Sequence, residues 1–458
     1  MSTPRHIAVI DIGKTNAKLA LVDLETLTES QVTTRPNHVQ PGPPYPHFDI
    51  EGIWGFLLDG LATMQARQGI EAISVTTHGA SAALLAADGR LAAPVLDYEY
   101  DGPDATAAAY DLLRPDFAQT GSPRLPVGLN LGAQLHWQAQ QDSDLLHRVA
   151  RIVTYPQYWA ARLTGVTATD VTSLGCHTDL WSPGAGAFSD LVDRLGIGAK
   201  LAPPERPGTI LGPVLPDLAA RIGLRGSVPV VAGIHDSNAS LYPHLLSRKP
   251  PFAVVSTGTW VVAMAVGGAK QRLDPARDTL VNVDAFGQPV PSARFMGGRE
   301  YDLIRQGASA TDAGAALASV LSDGLMLLPA VEPGSGPFPG RKARWIGQEP
   351  PVGSARREAA LSLYLAMMTA ECLGMIGAEG PVVVEGPFAR NALFLRMLSA
   401  ETARPVIRAA SATGTALGAA LLFAGEGTGA LPPDPAPVVE SDPAMRAYAR
   451  AWRERCRP

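Results

Sequence analysis

Cys176, Cys372 and Cys456 are the only cysteines in 458 residues. They are far apart and odd in number, which excludes a disulfide framework and fits a reducing, cytoplasmic setting. No apolar run reaches the ~18 residues of a membrane span. The opening MSTPRHIAVID enters a strand without the basic stretch and apolar core of a secretion signal, so neither insertion nor export is expected. Lys and Arg are nowhere dense before the last turns and the net charge is -5, so nothing attracts a nucleic-acid backbone. The nine histidines lack two-ligand helical spacing of the H-E-x-x-H kind, which leaves a zinc centre without support. What is present, 46% hydrophobic and 18% charged residues, describes a well-packed globular chain. Its length exceeds what one core usually supports, so two domains are expected.

Two segments read as copies. Ile7 to Val22 (IAVIDIGKTNAKLALV) and Phe252 to Val266 (FAVVSTGTWVVAMAV) are each an apolar strand, a polar glycine turn and a second apolar strand. Superposing Gly13 on Gly258 also places Ala8 on Ala253, Val9 on Val254 and Asp11 on Ser256. Glycine turns with small hydroxyl or amide neighbours and free N–H groups suit phosphate oxygens, and two facing turns would clamp a polyphosphate. Around them, apolar strands alternate with helical stretches, the grammar of an α/β fold: Ile53 to Gln68 reads as an amphipathic helix and AISVTTHG as a strand. Further helices are expected over Tyr155 to Leu163, Arg356 to Met375, Asn391 to Thr402 and Ala416 to Gly425, with strands at Val228 to Gly233 and Pro381 to Gly386. Ala444 to Arg455 reads as a solvated basic helix. The domain boundary falls near Tyr242 to Pro251, giving domains 1–244 and 245–458.

Chemistry concentrates at the strand ends. Gly13-Lys14-Thr15 reproduces the end of a Walker loop, but residue 8 is Ala where that loop needs Gly, and a strand follows in place of a helix. Asp11 instead suits a carboxylate holding hydrated Mg2+ beneath nucleotide phosphates, although D-x-G-x-T-N alone reads better as an Asx-type turn in an ordinary hairpin. Ser256-Thr-Gly-Thr-Trp alone is also an ordinary turn, and only the pairing of the two loops favours phosphate. Gly233-Ile-His-Asp-Ser-Asn leaves a strand at the position where α/β sheets bind ligands. Asp236 there either caps a helix or accepts the proton of an attacking sugar hydroxyl. His78-Gly79 ends another strand facing the same cleft. Gly386 would let backbone lie flat against a base, and Asn391 is a preferred helix N-cap whatever the ligand.

In this order the motifs, D-x-G, strand-end H-G, Leu163-Thr-Gly165, G-x-H-D, S-T-G-T-W, G-x-x-x-x-N and Leu417 to Leu422 (LGAALL), resemble the FGGY family of carbohydrate kinases over nearly the whole chain. The resemblance implies two ribonuclease H-like domains of the actin, hexokinase and Hsp70 ATPase fold, closing a cleft on Mg-ATP and a sugar or polyol. Asp11 would then organise Mg2+. Gly13, Lys14, Thr15, Asn16, Lys18, Gly258 and Thr259 would meet phosphates, and Gly386 and Asn391 would lie by the adenosine. His78, Gly79, His235, Asp236 and Ser237 would hold the sugar, with Asp236 as base. The H-D step resembles L-rhamnulose and L-fuculose kinases more than xylulose kinases, which implies the 1-hydroxyl of a 6-deoxyketose. A pentulose or polyol kinase, or a sugar-responsive regulator or assembly ATPase on the same fold, is the alternative; a homodimer is compatible with either. Three features depart from the family pattern: Pro387, Phe295 to Glu300, and Leu96 to Asp101, which lacks W-x-D-x-R.

Overall fold

The structure, a computed structural model, describes residues 3–308, 312–409, 414–424 and 434–457. The chain divides into two compact units. One comprises Met1–Ser247, Val281–Pro289 and Thr413–Leu431; the other comprises Arg248–Leu280, Val290–Ala412 and Pro432–Pro458.

The first unit is built on β1 (His6–Ile12), β2 (Asn16–Asp23), β3 (Thr28–Pro36), β4 (Ala72–Thr77) and β5 (Pro229–Val231). β1 pairs antiparallel with β2 and parallel with β4, and β3 and β5 extend the two sides. The second unit repeats the plan with β6 (Phe252–Thr257), β7 (Val261–Val266), β8 (Pro289–Phe295), β9 (Val382–Glu385) and β10 (Val406–Arg408). Here β6 pairs antiparallel with β7 and parallel with β9. The duplication read from the two hairpins therefore extends to three antiparallel strands followed by two parallel ones in each sheet. Ile7 through Ile10 and Ala253 through Val255 are completely buried, as expected of central strands covered on both faces. Each such Val or Ile side chain stabilises its sheet by ~1.5–3 kcal/mol.

The helices cover these sheets. Ile50–Arg67 is capped by Asp49, which accepts from the Gly52 N–H, and it buries Ile53, Trp54, Leu57, Leu58, Leu61 and Met64 along one stripe. Ala355–Met375 is apolar on most sides and correspondingly buried. The last core helix spans Gly414–Ala420 and tightens into a 3-10 turn at Leu421–Phe423; Gly425, its expected end, lies outside the described residues. The C-terminal helix, Pro443–Cys456, corrects its expected solvated character. Met445, Tyr448, Ala449, Trp452 and Cys456 recur at helical spacing and are buried, and the Trp452 indole N–H donates to the Leu327 carbonyl at 2.8 Å. Arginines on the other face concealed this apolar stripe.

Candidate active site

In the first unit, neighbouring strand ends gather the polar groups. Asp11 stands on β1 opposite Lys18 of β2 and Thr76 of β4. Burial, together with the nearby charge of Asp236, pushes its carboxyl up to about 7. Beyond β4, the His78 backbone N–H donates to the Ile12 carbonyl at 2.9 Å, closing the sheet at this point. The His78 ring sits in an aromatic box made by Phe48, Tyr98 and Tyr155, with centroids 5.1, 5.1 and 4.9 Å away. Burial holds it neutral, down to about 4. Its Nδ1 lies 2.8 Å from the Gly79 carbonyl and so carries the proton, which makes Nε2 an acceptor. That Nε2 is buried without a hydrogen-bond partner.

Asp236 opens the helix Asp236–Ser247. Its Oδ1 accepts from the Ser237 N–H at 2.5 Å and the Ser237 hydroxyl at 3.2 Å, and lies 3.2 Å from His235 Nε2. Asp236 is thus the first helical residue and not a cap of the helix; its carboxylate is half-buried, and among the described residues Oδ1 alone is committed. A negative charge at this helix N-terminus is also favoured by the helix dipole. His235 is buried, its backbone N–H donating to the Thr172 hydroxyl at 3.0 Å. Ser237 is exposed beside it.

The lysines depart from expectation. The Lys14 ammonium pairs with Asp97 and, at 3.2 Å, with Glu99, and lies over the rings of Tyr98 and Phe48 at 4.9 and 5.4 Å. Lys18 pairs with Glu29 at 2.6 Å. Both charges assigned to phosphates are already neutralised by carboxylates, and Lys14 belongs to the wall around His78. Thr15 and Asn16 are exposed at the turn, where the Gly13 N–H donates to the Asn16 carbonyl at 2.9 Å. The segment Leu96–Asp101, lacking W-x-D-x-R, supplies this wall by another route, with Tyr98 edge-on to His78 and Asp97 on Lys14.

The second unit holds a cavity of about 550 Å3 lined by Gly258 and Thr259 of the β6–β7 turn, by Gly298, Tyr301, Asp302 and Arg305, and by Pro387, Phe388, Arg390 and Asn391. That volume lies within the ~300–1,000 Å3 of small-molecule sites. A Cβ at Gly298 would fall 2.1 Å from the Gly258 carbonyl, so Phe295–Glu300 contributes a glycine clearance in place of an amide. Glu300 points elsewhere: it is fully buried and accepts from the Tyr364 hydroxyl at 2.9 Å. Gly386 has φ +78°, and a Cβ there would collide with the Thr257 carbonyl at 1.9 Å, which gives this glycine a packing reason independent of any base. Asn391 is the N-cap of Ala392–Thr402; its Oδ1 accepts from the Phe394 N–H at 3.1 Å while its amide N–H donates to Ser362 at 2.8 Å. Its side chain is therefore held by the fold although the residue borders the cavity.

The sequence reading missed Thr257, whose hydroxyl donates to the Glu385 carbonyl and accepts from the Phe388 N–H, tying the two turns together. It also missed Tyr301 and Arg305, which carry no local motif, Arg390, an unassigned position inside G-x-x-x-x-N, and Cys176, which is 59 residues from the His235 it approaches.

Residues 6–242 match the N-terminal domain of the FGGY family of carbohydrate kinases, and residues 249–432 match the carbohydrate kinase FGGY C-terminal domain. An L-fuculokinase of Salmonella typhi is 24% identical over 269 residues, covering 57% of each chain. A rhamnulokinase of Pectobacterium carotovorum is 29% identical over 273 residues, covering 56% of this chain and 52% of the relative. The chain thus spans little more than half the length of these relatives. The crystal structure of a carbohydrate kinase from Novosphingobium aromaticivorans superposes with TM-score 0.91 at 37% identity, covering 99% of this chain and 98% of that one. A xylulose kinase from Lactobacillus acidophilus shares the fold at TM-score 0.81 and 14% identity over 98% of this chain and 97% of its own. The paired glycine hairpins, the two repeated sheets and both domain matches agree: the chain belongs to the FGGY family of carbohydrate kinases.

Proposed function

We propose that the protein transfers a phosphoryl group from Mg-ATP to a sugar hydroxyl, with Asp236 as general base. The observation that carries this reading is an Asp236 carboxylate committed, among the described residues, at Oδ1 only, and near enough for its charge to act on His78, whose Nε2 is a buried acceptor without a partner. One oxygen can take a proton while the neighbouring ring orients a second hydroxyl. In the transfer the sugar oxygen bonds to phosphorus, the bond to the ADP leaving group breaks, and the hydroxyl proton passes to Asp236. Positioning supplies most of the acceleration in so loose a transition state, so a strong base is not required.

Asp11 fits the metal: burial and the nearby charge of Asp236 push its half-buried carboxyl up although Lys18, itself paired with Glu29, stands opposite, and a divalent ion would stabilise the ionised form. Among the described residues no three His, Cys, Asp or Glu side chains form a cage, which suits an ion held chiefly by water and phosphate oxygens. Bound there, Mg2+ would neutralise charge on the phosphates. The second-unit cavity fits the nucleoside, with Tyr301, Phe388 and Arg390 offering flat surfaces.

The substrate we infer is a 6-deoxyketose such as L-rhamnulose or L-fuculose, phosphorylated at the 1-hydroxyl. The H-D step and the names of the two relatives support it. A panel of ketoses and polyols in a coupled ADP-release assay tests this: the 6-deoxyketoses should give the highest kcat/KM, and a pentulose or polyol ranking first would replace them. Thermal stabilisation by a ketose without ADP release would instead favour a sugar-responsive regulator. Lys14→Ala separates wall from phosphate contact. We expect the sugar KM to rise about tenfold with the ATP KM within about twofold, the loss of uniform binding to one substrate. The reverse pattern would return Lys14 to the phosphates.

A further inference from the structure

Behind Asp236 lies a buried nucleophile that the transfer does not use. Cys176 Sγ is 3.6 Å from His235 Nε2, and the same nitrogen is 3.2 Å from Asp236 Oδ1, so one imidazole edge faces a thiol and a carboxylate at once. The other ring nitrogen, Nδ1, lies 3.3 Å from the Asn238 side-chain amide, which in its flipped orientation turns its oxygen to a protonated ring. Both Cys176 and His235 are buried, at 5% exposure each. The strand-end glycine is part of this arrangement: a Cβ at Gly79 would stand 2.9 Å from His235 Nε2 and 3.2 Å from Cys176 Sγ. Gly79, expected among the residues that hold the sugar, also leaves space for the pair.

We propose that Cys176 and His235 form a buried thiolate–imidazolium pair that fixes the Asp236 carboxylate for proton acceptance, Cys176 acting as a positioning residue through His235. The inference rests on Asp236 being the base. Among the described residues the three contacts on Asp236 fall on Oδ1, and His235 supplies the one that comes from outside residues 236 and 237. Without that contact Oδ1 is held by Ser237 alone, and the aim of Oδ2 is less closely fixed. An isolated imidazolium is expensive to bury, so a second anion behind the ring is what makes a donating cation tenable there.

The electrostatics agree in direction. Burial works against both charges, yet His177 and His235 outweigh it and draw Cys176 down to about 5. Burial is likewise outweighed at His235 by Cys176 and Asp236, which push it up to about 9. The other charged or titratable groups that act on this cluster are His177 beside Cys176, Asp170, which bonds Thr172 and Ser173, Tyr98, Asp11, the neutral His78, and Lys14 beyond it. With the imidazole raised above its ordinary value, the cation is fully formed at neutral pH and is lost as pH rises through about 9. Activity should fall along the same limb.

The test uses the full-length protein with two readouts, so that failure of the pair and failure of the base assignment look different. The first needs no turnover: NMR titration of the His235 ring in wild type, Cys176→Ala and Cys176→Ser. The second is kcat against pH with an accepted sugar. In Cys176→Ala we expect the His235 titration and the basic limb of kcat to move down together by about one unit or more. We also expect kcat to fall about tenfold with the ATP KM unchanged, as for a slightly misaimed catalytic group. Cys176→Ser, which keeps a polar contact without the charge, should fall between the two, and this guards against a fold defect in the alanine variant. A His235 titration that does not move overturns the proposal. So does a titration that moves while kcat and its limb stay within about twofold of wild type. Should Asp236→Asn transfer phosphate as fast as wild type, the base assignment fails and the positioning role with it, whatever the titration shows.

Discussion

Asp236→Ala is expected to abolish sugar-dependent ADP release while leaving ATP affinity intact. The carboxylate has two oxygens in different situations: Oδ1 is held by Ser237 and His235, and Oδ2 has no bond among the described residues. Alanine removes the proton acceptor and also leaves His235 with one anionic neighbour fewer. A positioned general base contributes ~10²–10⁴ in rate, so kcat should drop by about a thousandfold. The nucleotide should be unaffected, because the cavity in the second unit is lined by Gly258, Thr259, Tyr301, Arg390 and their neighbours. Isothermal titration with a nonhydrolysable ATP analogue and the coupled assay give both quantities. Turnover above about 5% of wild type would remove Asp236 from the base role, since such a loss is smaller than that of a positioned base. Ser237→Ala is the internal control. It deletes one 3.2 Å contact and keeps the backbone donor, so a modest loss in kcat is expected.

How far such a site is legible in sequence depends on how local its causes are. The hairpins were readable because an apolar strand, a glycine turn and an apolar strand recur with matching residues, and β4 and β9 because three or more buried positions run together. β3, TESQVTTRP, was not: it lies outside β2 with most side chains intermediate or exposed, so no hydrophobic pattern marks it. The return of Val281–Pro289 and Thr413–Leu431 to the first unit is a tertiary choice that no local composition announces. Site residues divide in the same way. Asp11, His78 and Asp236 stand at or next to strand ends, where the strand itself points to them. Lys14 was visible, but its partner depends on where Asp97 is delivered, 83 residues later. Cys176 has no motif at all and acquires meaning only beside His235.

Gly418→Ala carries the largest expected loss of stability. By helix propensity alone the change should help, since Ala is favoured over Gly by ~0.8–1 kcal/mol in a helix interior. The structure reverses the sign. A Cβ at residue 418 would lie 1.8 Å from the Ala239 carbonyl oxygen and 2.6 Å from its carbon, atoms of a helix that cannot swing aside like a side chain. The reason this carbonyl protrudes is readable four residues on. Position 243 is Pro, inside Asp236–Ser247, so the Ala239 carbonyl has no N–H to receive and is pushed outward by the ring. Gly418 is the surface that accommodates it, within a cluster where Ala416, Leu417, Ala419 and Ala420 pack on Ile7, Val9 and Ala72. Ala419 is pinned as well, its carbonyl accepting from the Ser74 hydroxyl at 2.7 Å. Overpacking against backbone costs ~1–3 kcal/mol or more, which exceeds the propensity gain. We expect a net loss of about 2 kcal/mol and a melting temperature lower by roughly 4–8 °C. Because the displaced helix begins at Asp236, kcat should fall too, well below the melting range. Pro243→Ala restores the missing donor and draws the carbonyl back, so the double variant should lose less than the two single variants added together. A melting temperature for Gly418→Ala that equals or exceeds wild type would show that the two helices part freely, and would end this account of the glycine in the closing LGAALL motif.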